Sequence, residues 1–418
     1  MLKDLYNSDS RIYRLINDAE KRAEEGFLSI DEIEMHNQIK VLDAFQKNSV
    51  SSRHFMPSTG YGYGDESRDM LERVFADALG FDDALVRPHI TCGTHALSVC
   101  LFAMLDPGDT ALFLGRPYDT LDDTIKGGYG SLESYGIKSE ILPLKDGLPD
   151  IEAALVRLKS DADIKLVYMQ RSRGYEWRHA LKATYINEAA ARLKSLRPDI
   201  RIMVDNCYGE FTEKDEPYLA DGIAGSLIKN IGGGIAPTGG YIAGSAEIVE
   251  RAAKTLNTPG LGRETGSYAA LYTPYYQGLF LAPHVVAQSL KGAALFAAIF
   301  ELLGYDTLPR ANDTRSDIIQ AVRFGDEELL KAFCRGVQKA SPIDSMAVPE
   351  PWDMPGYRHK VIMAAGAFIQ GSSIELSADA PIRPPYAAYI QGGLTYSHVK
   401  AAAAITLDYM MRGGYLTI

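Results

Sequence analysis

Lys229 stands where the chain otherwise offers a charge little reason to be: Ala224, Gly225, Ser226, Leu227 and Ile228 precede it, and the run Gly232-Gly233-Gly234 follows. Schiff-base chemistry needs an amine whose pKa is lowered by burial or by nearby positive charge. Upstream, the apolar run Ile202-Met203-Val204 delivers Asp205. A carboxylate at a buried strand end needs a cationic or N–H partner, because an unpaired one would be protonated instead. Farther upstream, Thr91-Cys92-Gly93-Thr94-His95-Ala96 switches from a strand pattern to a helical one. Main-chain N–H groups and the positive end of a helix dipole favour a dianion at such a turn. Gly93 permits close approach there, and Thr94 adds a hydroxyl donor. Ser226, three residues before the lysine, can reach the same anion. A phosphate cradle, an acid for a pyridinium nitrogen and a lysine for an aldehyde are the parts needed to hold pyridoxal 5′-phosphate (PLP).

Taken singly, each residue has a plainer reading. Thr94 reads as a helix cap, Asp205 as a loop cap and Lys229 as a charge ending an edge strand. The three in this order favour one shared site. Tyr118, in Gly115-Arg116-Pro117-Tyr118, is the candidate to stack on a planar ring. Tyr61 and Tyr63, in the glycine-rich loop from Thr59 to Asp65, offer hydroxyls to a phosphate. No glycine-rich stretch carries the Gly-Lys-Ser/Thr of a nucleotide P-loop. His54, His89 and His95 lie at unequal spacings and argue for no metal site.

These residues need a frame, and the alternation from about residue 85 supplies one. Strand-like runs at 85–91, 111–114, 141–144, 165–169, 201–204, 226–228 and 240–243 are separated mostly by helices, at 94–105, 150–159, 184–193 and 246–254 among others. That pattern predicts an α/β fold with a mostly parallel sheet sandwiched by helices. Ligands bind at the carboxyl ends of strands in such sheets, where Thr91, Asp205 and Lys229 all fall. Residues 8–48 predict a helical arm, broken near Gly26 and at Ser29-Ile30-Asp31, with Ser29 and Asp31 as caps. A helix at about 275–305 leaves the large domain. The expected organisation is an arm at 1–50, a large PLP-binding domain at 51–305 and a smaller C-terminal α/β domain at 306–418.

Composition narrows the partners. The chain has 418 residues, is 46% hydrophobic and 23% charged, and carries a formal net charge of −11. That balance argues against nucleic-acid binding. The longest uninterrupted apolar runs, such as 293–300, are too short to span a bilayer, and Met1 to Asn17 does not read as a signal peptide. Cys92, Cys100, Cys207 and Cys334 show no paired spacing, as expected of thiols in a reducing, cytoplasmic setting.

The order and spacing resemble the fold-type I PLP enzymes, especially the cystathionine/methionine γ-lyase group. The segments at 59–65, 89–96, 170–175, 204–211 and 225–240 are similar to its bacterial aluminium-resistance branch. The resemblance covers nearly the whole chain. It implies a PLP-dependent carbon–sulfur lyase of the cystathionine β-lyase or methionine γ-lyase type, acting on a small sulfur-containing amino acid. It also implies Lys229 as the PLP lysine, Asp205 on the pyridine nitrogen, Gly93, Thr94 and Ser226 on the phosphate, and Tyr118 on the ring. Tyr61 and Tyr63 would reach a neighbouring subunit's phosphate in a homotetramer of paired dimers, with active sites shared between subunits. Tyr118 or Tyr61 would be the acid for the leaving group.

Departures from the better-known lyases bear on the substrate. Cys207 takes the place of their Ser or Thr beside the cofactor. Their phosphate-gripping arginine is replaced at Tyr61-Gly62-Tyr63, with Arg263 as the candidate substitute. Arg383, in Pro381-Ile382-Arg383-Pro384, is the candidate for the substrate carboxylate because its fork is bidentate, with Arg173 and Arg171 as rivals. A PLP aldolase or aminotransferase would use the same cofactor residues, and a PLP-binding protein without turnover is a further reading.

Overall fold

The computed structural model describes residues 9–354 and 357–418. Helices α1 (Ser10–Arg22) and α2 (Glu24–Lys47) form the arm, and α3 (Glu66–Leu79) follows the Tyr61 loop. Then β1 (Asp83–Arg87), α4 (Gly93–Met104), β2 (Thr110–Leu114), α5 (Asp122–Lys126), β3 (Lys138–Leu142), α6 (Ile151–Ser160) and β4 (Ile164–Gln170) alternate. They continue with α7 (Ala183–Leu196), β5 (Arg201–Asp205), β6 (Gly222–Ser226), β7 (Gly240–Gly244) and α8 (Ala246–Leu256). The strand order is β1-β7-β6-β5-β4-β2-β3, and β7 alone runs against the others. The carboxyl ends of β1, β2, β4, β5 and β6 therefore share one edge.

The remaining elements are α9 (Thr273–Leu302), β8 (Asp306–Leu308), β9 (Gln320–Arg323), α10 (Glu327–Lys339), β10 (Val361–Ala365), β11 (Ser377–Pro381), β12 (Ala387–Gln391) and α11 (Tyr396–Arg412). These strands form a second sheet, β10-β11-β12-β9-β8, antiparallel throughout. The fold is thus α/β with a mostly parallel seven-stranded sheet and a separate small antiparallel one. Helix α9 ties the two together: Tyr275 to Leu290 belong to the core under the first sheet, and Ala294 to Phe300 to the core under the second. Its length and hydropathy would suit a membrane span, yet 78% of its most apolar window is buried in protein.

Several expected boundaries moved, among them the end of β1, which stops at Arg87 and leaves Thr91 four residues past it. The arm breaks at Ala23, not at Gly26 or Ser29. Gly26 sits inside α2 because a Cβ there would lie 2.9 Å from the Ala311 carbonyl oxygen, and its N–H donates to Asn312 Oδ1. Ile12, Ile16 and Ala19 of α1 pack in the core of the second sheet, whereas Val41 and Ala44 of α2 pack in that of the first. The first eight residues of the expected arm lie outside the described residues. Strand β3 begins earlier than expected, as a partly exposed edge strand. Strand β6 ends at Ser226, so Lys229 lies three residues past it; small residues in this strand admit neighbouring side chains that a stronger strand former would exclude.

The turn after Lys229 is pinned by backbone contact. A Cβ on Gly233 would lie 2.3 Å from the Gly278 carbonyl oxygen in α9, and one on Gly278 would lie 2.3 Å from that of Gly232. Gly278→Ala should therefore overpack this contact and destabilise the protein by about 1–3 kcal/mol. Urea unfolding measures it; an unchanged midpoint would show that the turn is not held there.

Candidate functional site

A cavity of about 370 Å³ opens at the shared strand edge, and Gly93, Thr94, Tyr118, Asp205, Cys207, Ser226 and Lys229 all line it. One corner is built for an anion. Cys92 caps α4, its Sγ accepting from the His95 N–H at 3.4 Å, and the helix begins at Gly93. A Cβ on Gly93 would meet Cys207 Sγ at 3.4 Å and Ser226 Cβ at 3.5 Å, so these three residues face one another. Thr94 shares a hydrogen bond with Thr120 at 2.8 Å. The Ser226 hydroxyl is buried and has no hydrogen-bond partner among the described residues. A buried hydroxyl left unbonded costs about 1–3 kcal/mol, which an acceptor in this corner would recover.

Asp205 ends β5 and is 5% exposed. The Cys207 N–H donates to it at 3.1 Å and the Tyr168 hydroxyl at 3.3 Å. Burial pushes its carboxyl up, while these bonds and the charge of Lys229 pull it back. No ion pair engages it among the described residues, so a ring N–H⁺ would meet an acceptor still lacking its cation.

Lys229 donates to the Tyr208 hydroxyl at 2.8 Å and to Ser373 Oγ at 3.0 Å. Tyr208 adopts φ +71°, a conformation costly for a bulky residue, and its carbonyl accepts from the Asn230 side chain at 2.9 Å. Burial alone would push the lysine amine down. The Tyr208 hydroxyl, Cys207 and Glu210 outweigh it, so the amine lies above its ordinary value, opposite to the lowering expected from burial.

Tyr118 lies beside Gly174, where a Cβ would be 3.7 Å from its ring, and its hydroxyl contacts that of Tyr357. Burial pushes the Tyr118 hydroxyl far up, so it carries its proton at all ordinary pH. An adjoining cavity of about 210 Å³ shares Tyr118, Gln170, Gly174 and Tyr175 with the first, and both Arg173 and Arg383 line it. Arg173 is nearly fully buried, 3.5 Å from Asp317, and donates to the Leu308 carbonyl, leaving Nη2 without a partner among the described residues. Arg383 is exposed and makes one long hydrogen bond, 3.4 Å, to the Tyr175 carbonyl.

Other sequence candidates lie elsewhere. Tyr61 and Tyr63 are exposed, stack on each other at 5.3 Å and line neither cavity. Arg263 is committed to Glu72 and Asp83. Arg171 is fully buried and locked by Glu213, Glu216 and Asn206, each at 2.8 Å. Tyr208, Ser373, Gln391 and Asp379 were not anticipated. Asp379 accepts from Tyr175 and Gln391, and burial pushes its carboxyl up to about 6. Tyr208 lies within the Asp205 segment and was open to notice; Ser373, 144 residues from Lys229, carries no local signal.

Arg171→Met should destabilise the protein by about 3–5 kcal/mol, because it strands two buried or nearly buried carboxylates. Guanidinium unfolding checks this; a cost below about 1 kcal/mol would mean that the arginine is not locked in the fold.

An anion corner, a buried acid and a part-buried lysine on the carboxyl edge of a mostly parallel sheet define the fold-type I class of PLP proteins. The PLP-dependent protein YhfS of Escherichia coli has the same fold, at 15% identity and TM-score 0.62 over 92% of this chain and 97% of that one. Within that class, residues 12–411 match the methionine gamma-lyase family model, and the chain belongs to that family. It is similar to a carbon-sulfur lyase involved in aluminum resistance from Clostridium novyi, at 49% identity and TM-score 0.93 over 97% of each chain. It is also 48% identical, over 92% of each chain, to the uncharacterized Bacillus subtilis protein YnbB.

Proposed function

We propose that the protein is a PLP-dependent lyase that breaks a carbon–sulfur bond of a sulfur-containing amino acid by β- or γ-elimination. The observation that carries this reading is that Lys229, Asp205 and the Gly93–Ser226 corner share one cavity in a chain of this family. When bound, PLP supplies an electron sink for negative charge developing at the substrate Cα.

The residues divide the remaining work. The N-terminus of α4, with Thr94 and the unpartnered Ser226 hydroxyl, holds the phosphate. Asp205 keeps a proton on the ring nitrogen, and Cys207 packs beside it. Lys229 would be the residue that holds PLP, and its Nζ would accept the proton from the substrate Cα. Tyr208 and Ser373 orient that nitrogen. Tyr118 packs on the ring and, held protonated, donates to the departing sulfur. Arg383, which makes no ion pair among the described residues, grips the α-carboxylate, with buried Arg173 behind it. Tyr61 and Tyr63 serve a second subunit's site in a homotetramer of paired dimers.

The purified protein should retain PLP with an absorbance band that Lys229→Ala abolishes, and should release a thiol and a keto acid from a sulfur amino acid. Wild-type protein that retains no PLP and behaves like Lys229→Ala would sink the reading. With the substrate so identified, Arg383→Ala should raise KM roughly 10- to 100-fold, from loss of about 1.5–3 kcal/mol of charged hydrogen bonding. An unchanged KM would move the carboxylate site away from Arg383.

A further inference from the structure

A smaller cavity, which the chemistry above does not use, lies where the arm meets the rest of the fold. It holds about 50 Å³ and is walled by Gly26 and Ile30 of α2, Thr212 from the segment after β5, Leu290 of α9, and the loop from Ala311 to Arg315. Ile30 and Leu290 belong to the core under the first sheet and Ala311 to the core under the second. The cation in its wall is Arg315, only 5% exposed. Burial pushes its guanidinium down to about 10, so it stays charged at ordinary pH. Nη2 donates to Gln320 Oε1 at 2.8 Å and to the Arg310 carbonyl at 3.3 Å, both neutral acceptors. Nε and Nη1 are buried and have no partner among the described residues.

A buried charge is costly unless it is paired, and arginine does not shed its proton to escape that cost. The carboxylates of the neighbouring chain are engaged elsewhere. Asp317 accepts from the Ser172 hydroxyl at 3.0 Å and the Arg173 N–H at 3.2 Å. Glu301 accepts from Arg22 at 2.8 Å, Thr307 at 3.0 Å and the Ala311 N–H at 2.8 Å. Asp313 lines the cavity but is exposed, and its carboxylate accepts from the Arg310 N–H at 2.8 Å. The cavity is far smaller than the 370 Å³ beside Lys229, which suits a monatomic anion better than an organic acid. The side chains of Ile30, Leu290 and Ala311 offer no hydrogen bonds, which favours an ion that sheds water readily.

We propose that one halide ion, chloride in ordinary saline, binds Nε and Nη1 of Arg315 and clamps α2 to the loop between β8 and β9. Direct contacts already join these two elements, since the Gly26 N–H donates to Asn312 Oδ1 at 3.1 Å and Asn312 Nδ2 to the Arg22 carbonyl at 2.8 Å. The same loop carries Asp317, two residues beyond Arg315, to Ser172 and Arg173 of the candidate site. The ion therefore also steadies the loop from which that acid comes.

The test is thermal unfolding of the full chain at constant ionic strength, with methanesulfonate replaced stepwise by bromide. Excess PLP is present to occupy the anion corner beside Ser226. The wild-type midpoint should rise by about 1–2 °C for each tenfold increase in bromide. Arg315→Met, uncharged and of similar reach, should lose that rise, and an equal response in the two proteins would overturn the proposal. If Arg315→Met fails to fold, anomalous diffraction from wild-type crystals grown in bromide decides. A peak beside Arg315 Nε, together with the rise in midpoint, supports the clamp, and no peak there overturns it. A peak without any rise would mark an adventitious ion only and would also overturn it. Neither readout depends on the lyase reading.

Discussion

The site depends on drawing a lysine amine out of open water into a part-buried cavity and still satisfying it. Lys229 is held by Tyr208, from the loop after β5, and by Ser373, from the segment that leads into β11. One nitrogen thus draws on both sheets, and partners of this kind offset the water that a part-buried amine gives up. Much of the surrounding architecture follows from that need. The helix that spans both cores presses its backbone against the turn after the lysine, fixing where the side chain starts. A residue in a left-handed conformation brings the Tyr208 hydroxyl to where the side chain ends.

The same loop serves the lysine and supplies two acids. Within six residues it brings Asp205 to the cavity, Cys207 beside it, Tyr208 to the amine and Glu210 to the Tyr241 hydroxyl. Asp205 and Glu210 are both buried, and neither has an ion-pair partner among the described residues. Burial raises both, but Asp205 faces the cavity where a cationic ring can meet it, and Glu210 faces the protein behind. Two acids five residues apart are thus suited to opposite tasks: one to meet a cation, the other to keep a proton.

The half of the site built on the first sheet was legible because its parts stand at switches in local pattern. Gly93 and Thr94 mark strand becoming helix, Asp205 ends an apolar run, and Lys229 follows a strand of small residues. The half built on the second sheet was not. Its strands are short, β11 and β12 are rich in alanine with weak alternation, and β12 pairs with β9 from far back in the chain. Ser373 and Asp379 reach the site only through that pairing. Gly26 misled for a related reason: a glycine needed for close backbone approach looks, in one dimension, like one that ends a helix. Burial alone says little of the lysine pKa, because the hydrogen-bonding partners that come with it push the other way.

The central claim is that Lys229 is the residue to which PLP becomes covalently bound. Reduction of the holoenzyme with borohydride, followed by proteolysis and mass spectrometry, tests it most directly. One phosphopyridoxyl group per chain is expected, on the peptide containing Lys229. Label on a different lysine, or a reduced protein that loses all its PLP on denaturation, would contradict it.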